Sequence, residues 1–183
     1  MALPINIEDL LNKRRVESNR IEFKAGWNPD KIYHTICAFA TDLENTGGGY
    51  ILVGVEEENG VAKRPVKGLN EKEIDDILKD MVGYDAKIEP AYMTKVSPEI
   101  VDGKPILVIW VPSGLNRPYS VMESVVAKKS TPKFYVRSKS STIEAKGEIP
   151  DQVRALANHV PFDERGNETI KIDDNRECLY MSI

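Results

Sequence analysis

The chain has 183 residues, with 25 Lys+Arg against 29 Asp+Glu and a formal net charge of −4; its pI is about 5.4. Apolar residues make up 41% and charged residues 30%, which excludes wholesale disorder and allows one sizeable core. The most apolar run, Ile106 to Pro112, is strand-sized and far below the roughly 20 residues of a membrane-spanning helix.

In chain order, Ile7 to Arg15 reads as a short helix, with Ile7, Leu10 and Leu11 at helical spacing and Glu8 and Asp9 near its start. Arg20 to Lys24 alternates polar and apolar side chains, as a strand does. Asn28-Pro29-Asp30 is a helix start, followed by the apolar stripe Ile32, Ile36, Phe39, Ala40 and Leu43. Gly47-Gly48-Gly49 ends that helix, and the apolar run Tyr50 to Val55 suits a strand buried on both faces. Glu57-Glu58-Asn59-Gly60 reads as a turn. A second long helix is expected over Asn70 to Val82, with Asn70 and Glu73 in a capping-box pattern and Ile74, Ile77, Leu78 and Met81 inward. Strands are expected over Ala91 to Val96, Lys104 to Val111 and Pro132 to Arg137, the first two joined by the turn Val101-Asp102-Gly103. A last helix is expected over Glu148 to Asn158. The order of elements implies an α/β (α+β) fold: a mixed β-sheet flanked by helices. The expected domain spans residues 1–158, and 159–183 reads as a linker or tail towards a further region.

No basic-then-apolar leader opens the sequence, and Cys37 and Cys178 form no metal-type pair. Both features suit a reducing cytoplasm and no membrane association. His34 and Cys37 are one helical turn apart, too few ligands for a zinc site. The three glycines lead into a strand, and no Lys-Ser/Thr follows, so they are not a phosphate loop.

Charge is unevenly spread. Between Gly114 and Gly147, Arg117, Lys128, Lys129, Lys133, Arg137, Lys139 and Lys146 face only Glu123 and Glu144, a net of +5. The rest of the chain therefore carries about −9. The same segment holds Tyr119, Phe134, Tyr135, Ser138, Ser140, Ser141 and Thr142. Cations with hydroxyls and aromatics match the needs of a phosphate backbone and unstacked bases; a solvated strand–loop face is the competing reading. Lys13-Arg14-Arg15 with Arg20 forms a second basic group.

Glu17 and Glu22, with Lys24, flank the first strand, and Glu56 and Glu57 follow the apolar one. Carboxylates meeting at a sheet edge could hold Mg²⁺ or Mn²⁺ and activate water against a phosphodiester, with Lys24 steadying developing charge. On spacing alone, surface ion pairs beside a strand are the commoner outcome.

Taken together, Glu17-x-x-x-x-Glu22-Phe23-Lys24, Thr35-Ile36-Cys37-Ala38-Phe39-Ala40 and Gly48-Gly49-Tyr50-Ile51-Leu52-Val53-Gly54-Val55-Glu56-Glu57 resemble the Schlafen AlbA-like domain. Arg117-Pro118-Tyr119, Tyr135-Val136-Arg137 and Ser140-Ser141-Thr142 look like its remainder, so the resemblance covers about Ile7 to Asn158. It implies a nucleic-acid (DNA or RNA) binding module, in bacteria usually the N-terminal part of a transcriptional regulator, ATP-binding protein or RecG-related helicase-like protein. The expected contacts are Arg20, Lys24, Arg117, Lys128, Lys129, Lys133, Arg137 and Lys139, and paired units in larger relatives imply a homodimer. Related Schlafen proteins include endoribonucleases with three acidic residues, which fall here on Glu17, Glu22 and Glu56, or less securely Glu57. Glu stands where that pattern has Asp. A divalent-metal-dependent nuclease, with Glu17, Glu22 and Glu56 as Mg²⁺ or Mn²⁺ ligands, is therefore the alternative expectation. A non-catalytic assembly domain is the third.

Overall fold

The computed structural model describes residues 6–12, 20–146 and 151–153. Helix α1 (Ile7–Asn12) precedes strand β1 (Ile21–Lys24), helix α2 (Pro29–Thr41) and strand β2 (Gly49–Val53). A hairpin of β3 (Glu57–Glu58) and β4 (Val61–Ala62) leads to helix α3 (Glu71–Asp85). Six strands follow: β5 (Ile88–Glu89), β6 (Lys95–Val101), β7 (Lys104–Val111), β8 (Ser120–Met122), β9 (Pro132–Ser138) and β10 (Ser141–Glu144). Residues 151–153 are helical. The rest of the expected last helix lies outside the described residues, as do Lys13, Arg14, Arg15, Glu17, Cys178 and the expected tail.

The fold is mixed α/β, with its strands in two four-stranded sheets rather than one. The first has the order β1-β2-β7-β6, the second β10-β9-β8-β5, and β3-β4 is separate. β1 and β2 are parallel, linked through α2, and the remaining pairs of the first sheet are antiparallel. β2 is interior and all five of its residues are buried, as its unbroken apolar run requires. Period-two alternation divides the first sheet's side chains. Ile51, Val53, Leu107, Ile109 and Val111 join a core with α2, α3 and the second sheet. Leu52, Tyr50, Ile106 and Val108 join another with Leu10 and Leu11 of α1, Ile21 and Phe23.

α2 is buried along nearly its whole length, from Ile32 to Thr41, because sheets lie on two of its sides. Each large apolar side chain so enclosed contributes about 1.5–3 kcal/mol. Asn28 caps α2, its side chain accepting from the Lys31 N–H, and Pro29 occupies the first turn. The helix ends at Asp42, whose backbone is left-handed (φ 44°), before the expected Leu43 and well before the glycines. The Asp42 carboxylate accepts from Thr46 N (2.8 Å), Thr46 Oγ1 (3.1 Å) and Gly47 N (2.9 Å). These bonds outweigh the opposing effect of burial and hold the carboxyl below its ordinary value. Gly48 (φ +76°) then passes so close to β7 that a Cβ would stand 2.1 Å from the Val111 carbonyl oxygen.

α3 has the capping box its sequence announces: Asn70 Oδ1 accepts from Glu73 N, and Glu73 Oε2 from Asn70 N, both at 2.8 Å. It runs three residues past the expected Val82. The expected turn at 57–60 is a hairpin in which Glu57 and Glu58 are strand and only Asn59 (φ 54°) and Gly60 (φ 77°) turn. The strand expected at 91–96 is shifted to Lys95–Val101, with Tyr92 Oη donating to the Pro112 carbonyl at 2.7 Å before it starts.

Candidate nucleic-acid interface

β1 carries a carboxylate, Glu22, into the interior. Ile21 and Phe23 face the α1 core, so alternation sends Glu22 and Lys24 to the opposite face, towards α2 and β9. Glu22 is only 7% exposed. One of its carboxylate oxygens pairs with Lys24 Nζ, and the other accepts from Arg137 Nη1 at 2.7 Å. Arg137, on β9, is itself 9% exposed and lies 5.0 Å from the Phe39 ring centre. The same guanidinium donates to Thr142 Oγ1 and to the Ser140 carbonyl, each at 2.8 Å. Thr142 Oγ1 is 3.0 Å from Thr35 Oγ1, which donates to the Lys31 carbonyl. A continuous polar chain thus joins β1, the β9–β10 turn and α2.

This chain floors an open cleft of about 600 Å³. Lys24, Lys31 and His34 line it together with the turn residues Ser140, Ser141 and Thr142, and the carboxylates there are Glu22 and Glu57. The His34 ring stacks on Tyr135, with centroids 3.9 Å apart and planes 13° apart. Its Nε2 lies 2.9 Å from the Glu123 carbonyl oxygen and so donates to it. Burial lowers the His34 pKa from its ordinary value, against opposing contributions from Glu123 and Asp30.

Glu56 lines a neighbouring depression with Glu57, Glu58 and Lys63, its carboxylate 3.9 Å from Lys63 Nζ. Glu57 lines both hollows, and it is Glu57, not Glu56, that shares the cleft with Glu22. Glu17 lies outside the described residues. Among the described residues no three His, Cys, Asp or Glu side chains are grouped to hold a metal. Both oxygens of Glu22 are engaged by cations, Lys24 on one and Arg137 on the other.

The basic residues divide into two groups. Arg20 donates to the Gly48 and Gly47 carbonyls at 3.1 and 3.4 Å. Arg117 donates to the Asp42 carbonyl (3.1 Å) and to Asn45 Oδ1 (2.7 Å). These two arginines bind the α2–β2 connection from opposite ends. Lys133 pairs with Glu123 (2.8 Å) and Glu144 (3.3 Å), and Lys146 pairs with Glu144 (3.2 Å). Arg137 is enclosed with Glu22 as described. Lys128, Lys129 and Lys139 are exposed, with no ion pair to any described residue, and so is Lys31 at the cleft.

Sequence reasoning did not single out Lys31 or Thr35 as cleft residues, and it set His34 aside. The available signal was three polar residues at i, i+3 and i+4 on a helix whose other residues are almost all apolar; that spacing is one helix face.

No helix among the described residues is long and apolar enough to cross a membrane. No curated protein matches the chain. Among solved structures, it is similar to the N-terminal domain of a RecG-related protein from Nitrosomonas europaea, at 25% identity and a TM-score of 0.43, over 69% of this chain and 75% of that one. It is also similar to the DIP2311 protein from Corynebacterium diphtheriae, at 21% identity and a TM-score of 0.43. That match covers 69% of this chain and 22% of the other, so the chain spans less than a quarter of that protein's length. The Schlafen, AlbA_2 family profile matches residues 17–146, taking in β1 with Glu22, the whole of α2 and the β9–β10 turn. The chain therefore belongs to the Schlafen AlbA_2 family.

Proposed function

We propose that this domain binds nucleic acid, with DNA as the first expectation, as a module of a larger transcriptional regulator or ATP-binding, helicase-related protein. The observation that carries the reading is the cleft. Lys24 and Lys31 bring positive charge, Ser140, Ser141 and Thr142 bring hydroxyl groups, and His34, its ring held against the buried Tyr135, brings an aromatic surface. Phosphates, sugar hydroxyls and base faces call for these three kinds of group. Lys128, Lys129 and Lys139 would extend the cationic surface, while Arg20, Arg117, Lys133 and Arg137 shape it from within the fold. Fluorescence anisotropy with labelled single- and double-stranded oligonucleotides tests this. Affinity should fall steeply between about 50 and 200 mM salt, because each neutralised phosphate releases condensed counterion. Absence of binding at low salt, or affinity indifferent to salt, would count against it.

A Mg²⁺- or Mn²⁺-dependent endoribonuclease is the second reading, favoured by one observation: Glu22 and Glu57 line the same cleft as Lys24. The assay is cleavage of structured RNA with Mn²⁺ or with chelator. Cleavage that persists in Glu22→Gln would dismiss it.

A further inference from the structure

The β8–β9 connection is a surface loop with an unusually well-built base. Glu123 N donates to the Thr131 carbonyl at 2.9 Å, closing the hairpin. Ser124 N donates to Ser130 Oγ (2.8 Å), and Ala127 N to Ser124 Oγ (3.2 Å). From outside the loop, the Asp30 carboxylate accepts from Val125 N at 2.7 Å and from Ser124 Oγ at 3.1 Å. Lys87 Nζ donates to the Val125 carbonyl, and Val125 is completely buried. The tip is the opposite in character. Val126 is 59% exposed, and Lys128 and Lys129 are exposed without an ion pair to any described residue.

Burial and hydrogen bonds at the base fix the loop before any partner arrives, which removes much of the ordering cost of binding. The base is also physically tied to the cleft. Asp30, which holds the loop, is followed by Lys31, which lines the cleft; His34, another lining residue, donates to Glu123 at the hairpin's foot. A cleft of about 600 Å³ has the size of a pocket for one small ligand. A polymer seated in it must continue over the neighbouring surface.

We propose that residues 124–130 form a pre-set cationic prong that grips the phosphodiester backbone of a single strand where it leaves the cleft, through Lys128 and Lys129. The inference rests on the nucleic-acid reading above and adds to it which cations touch phosphate where the strand leaves the cleft.

The test measures the salt dependence of a labelled dodecanucleotide, as oligothymidylate and as oligouridylate, on four proteins. Lys128→Ala with Lys129→Ala should reduce the slope of log affinity against log salt by about 1.4, since a single strand releases about 0.7 counterion per phosphate neutralised. Ser124→Ala with Ser130→Ala keeps every charge but loosens the base, so affinity should fall while the slope stays. Lys67→Ala with Lys72→Ala, two exposed lysines elsewhere, should leave the slope as in the unsubstituted protein. If the unsubstituted protein binds and the Lys128/Lys129 variant keeps its slope, the prong is wrong and the nucleic-acid reading survives. If a polyglutamate peptide displaces the strand as well as unlabelled oligonucleotide does, the prong serves an acidic peptide and the inference is overturned. Failure of the unsubstituted protein to bind either oligonucleotide would remove both proposals.

Discussion

Arg137 distinguishes sharply between a cation that holds the fold together and one that meets a ligand. Replacing it with Met removes donors to Glu22, Thr142 and the Ser140 carbonyl, at 2.7, 2.8 and 2.8 Å. The Arg137 and Glu22 side chains are 6% and 10% exposed, so the carboxylate left behind has little access to water. Removing one partner of a buried pair costs about 3–5 kcal/mol. Lys24 still touches Glu22 and its side chain is 22% exposed, which puts the expected loss at the lower end, about 3 kcal/mol. For a chain of this size, each kcal/mol lowers the melting temperature by about 2–4 °C, giving a fall of about 6–12 °C. Glu22→Gln alone should also destabilise, by stranding the guanidinium. The double variant should cost less than the sum of the singles by more than about 1.5 kcal/mol, as groups in direct contact do. Urea and thermal denaturation of the four proteins measure this. A stability for Arg137→Met within about 0.5 kcal/mol of the parent, the size of an ordinary surface substitution, together with weakened oligonucleotide binding, would refute the reasoning and return Arg137 to the ligand surface.

Two further outcomes follow from the geometry. Burial lowers the His34 pKa below its ordinary 6.5, so the unfolded chain takes up this proton first and stability falls as pH drops through about 6.5. His34→Phe, which keeps a ring against Tyr135, should lose that part of the decline between about pH 7 and 5; parallel stability–pH curves for the two proteins would contradict it. Gly48→Ala places a Cβ 2.1 Å from the Val111 carbonyl oxygen at φ +76°. The backbone conformation alone costs about 1–3 kcal/mol for a non-glycine residue, so amide exchange across the β2–β7 pairing should accelerate. Unchanged protection there would show that the close approach is relieved without effect.

The elements easiest to read from the sequence were those whose ends are marked locally. Asn28-Pro29 starts α2, Asn70 with Glu73 starts α3, and the uniform apolar run at Tyr50 fixes an interior strand. β5, β8 and β10 have two to four residues each, too short for a period, and without them the second sheet is invisible. The carboxylates were legible as types and not as partners. Glu22 is recognisable from its motif, but the arginine that neutralises it is 115 residues away. Charge counting along residues 114–147 finds the cations and cannot see that Glu123 and Glu144 occupy Lys133, or that backbone carbonyls occupy Arg20 and Arg117. The difference between Glu56 and Glu57 is one step of an extended chain, decided by where the 57–62 hairpin begins.

The polar chain from Lys24 to Thr35 crosses a seam: β1 belongs to one sheet, the β9–β10 turn to the other, and Glu22–Arg137 rivets them. Contacts between residues so distant in sequence are slow to form, because the intervening loop must first be closed. β1, α2 and β2 follow one another closely, yet the cleft has no second wall until residues 132–144 reach them. During synthesis this surface is therefore among the last parts of the domain to take shape, and until it does the carboxylate of Glu22 lacks the guanidinium that neutralises it in the finished fold.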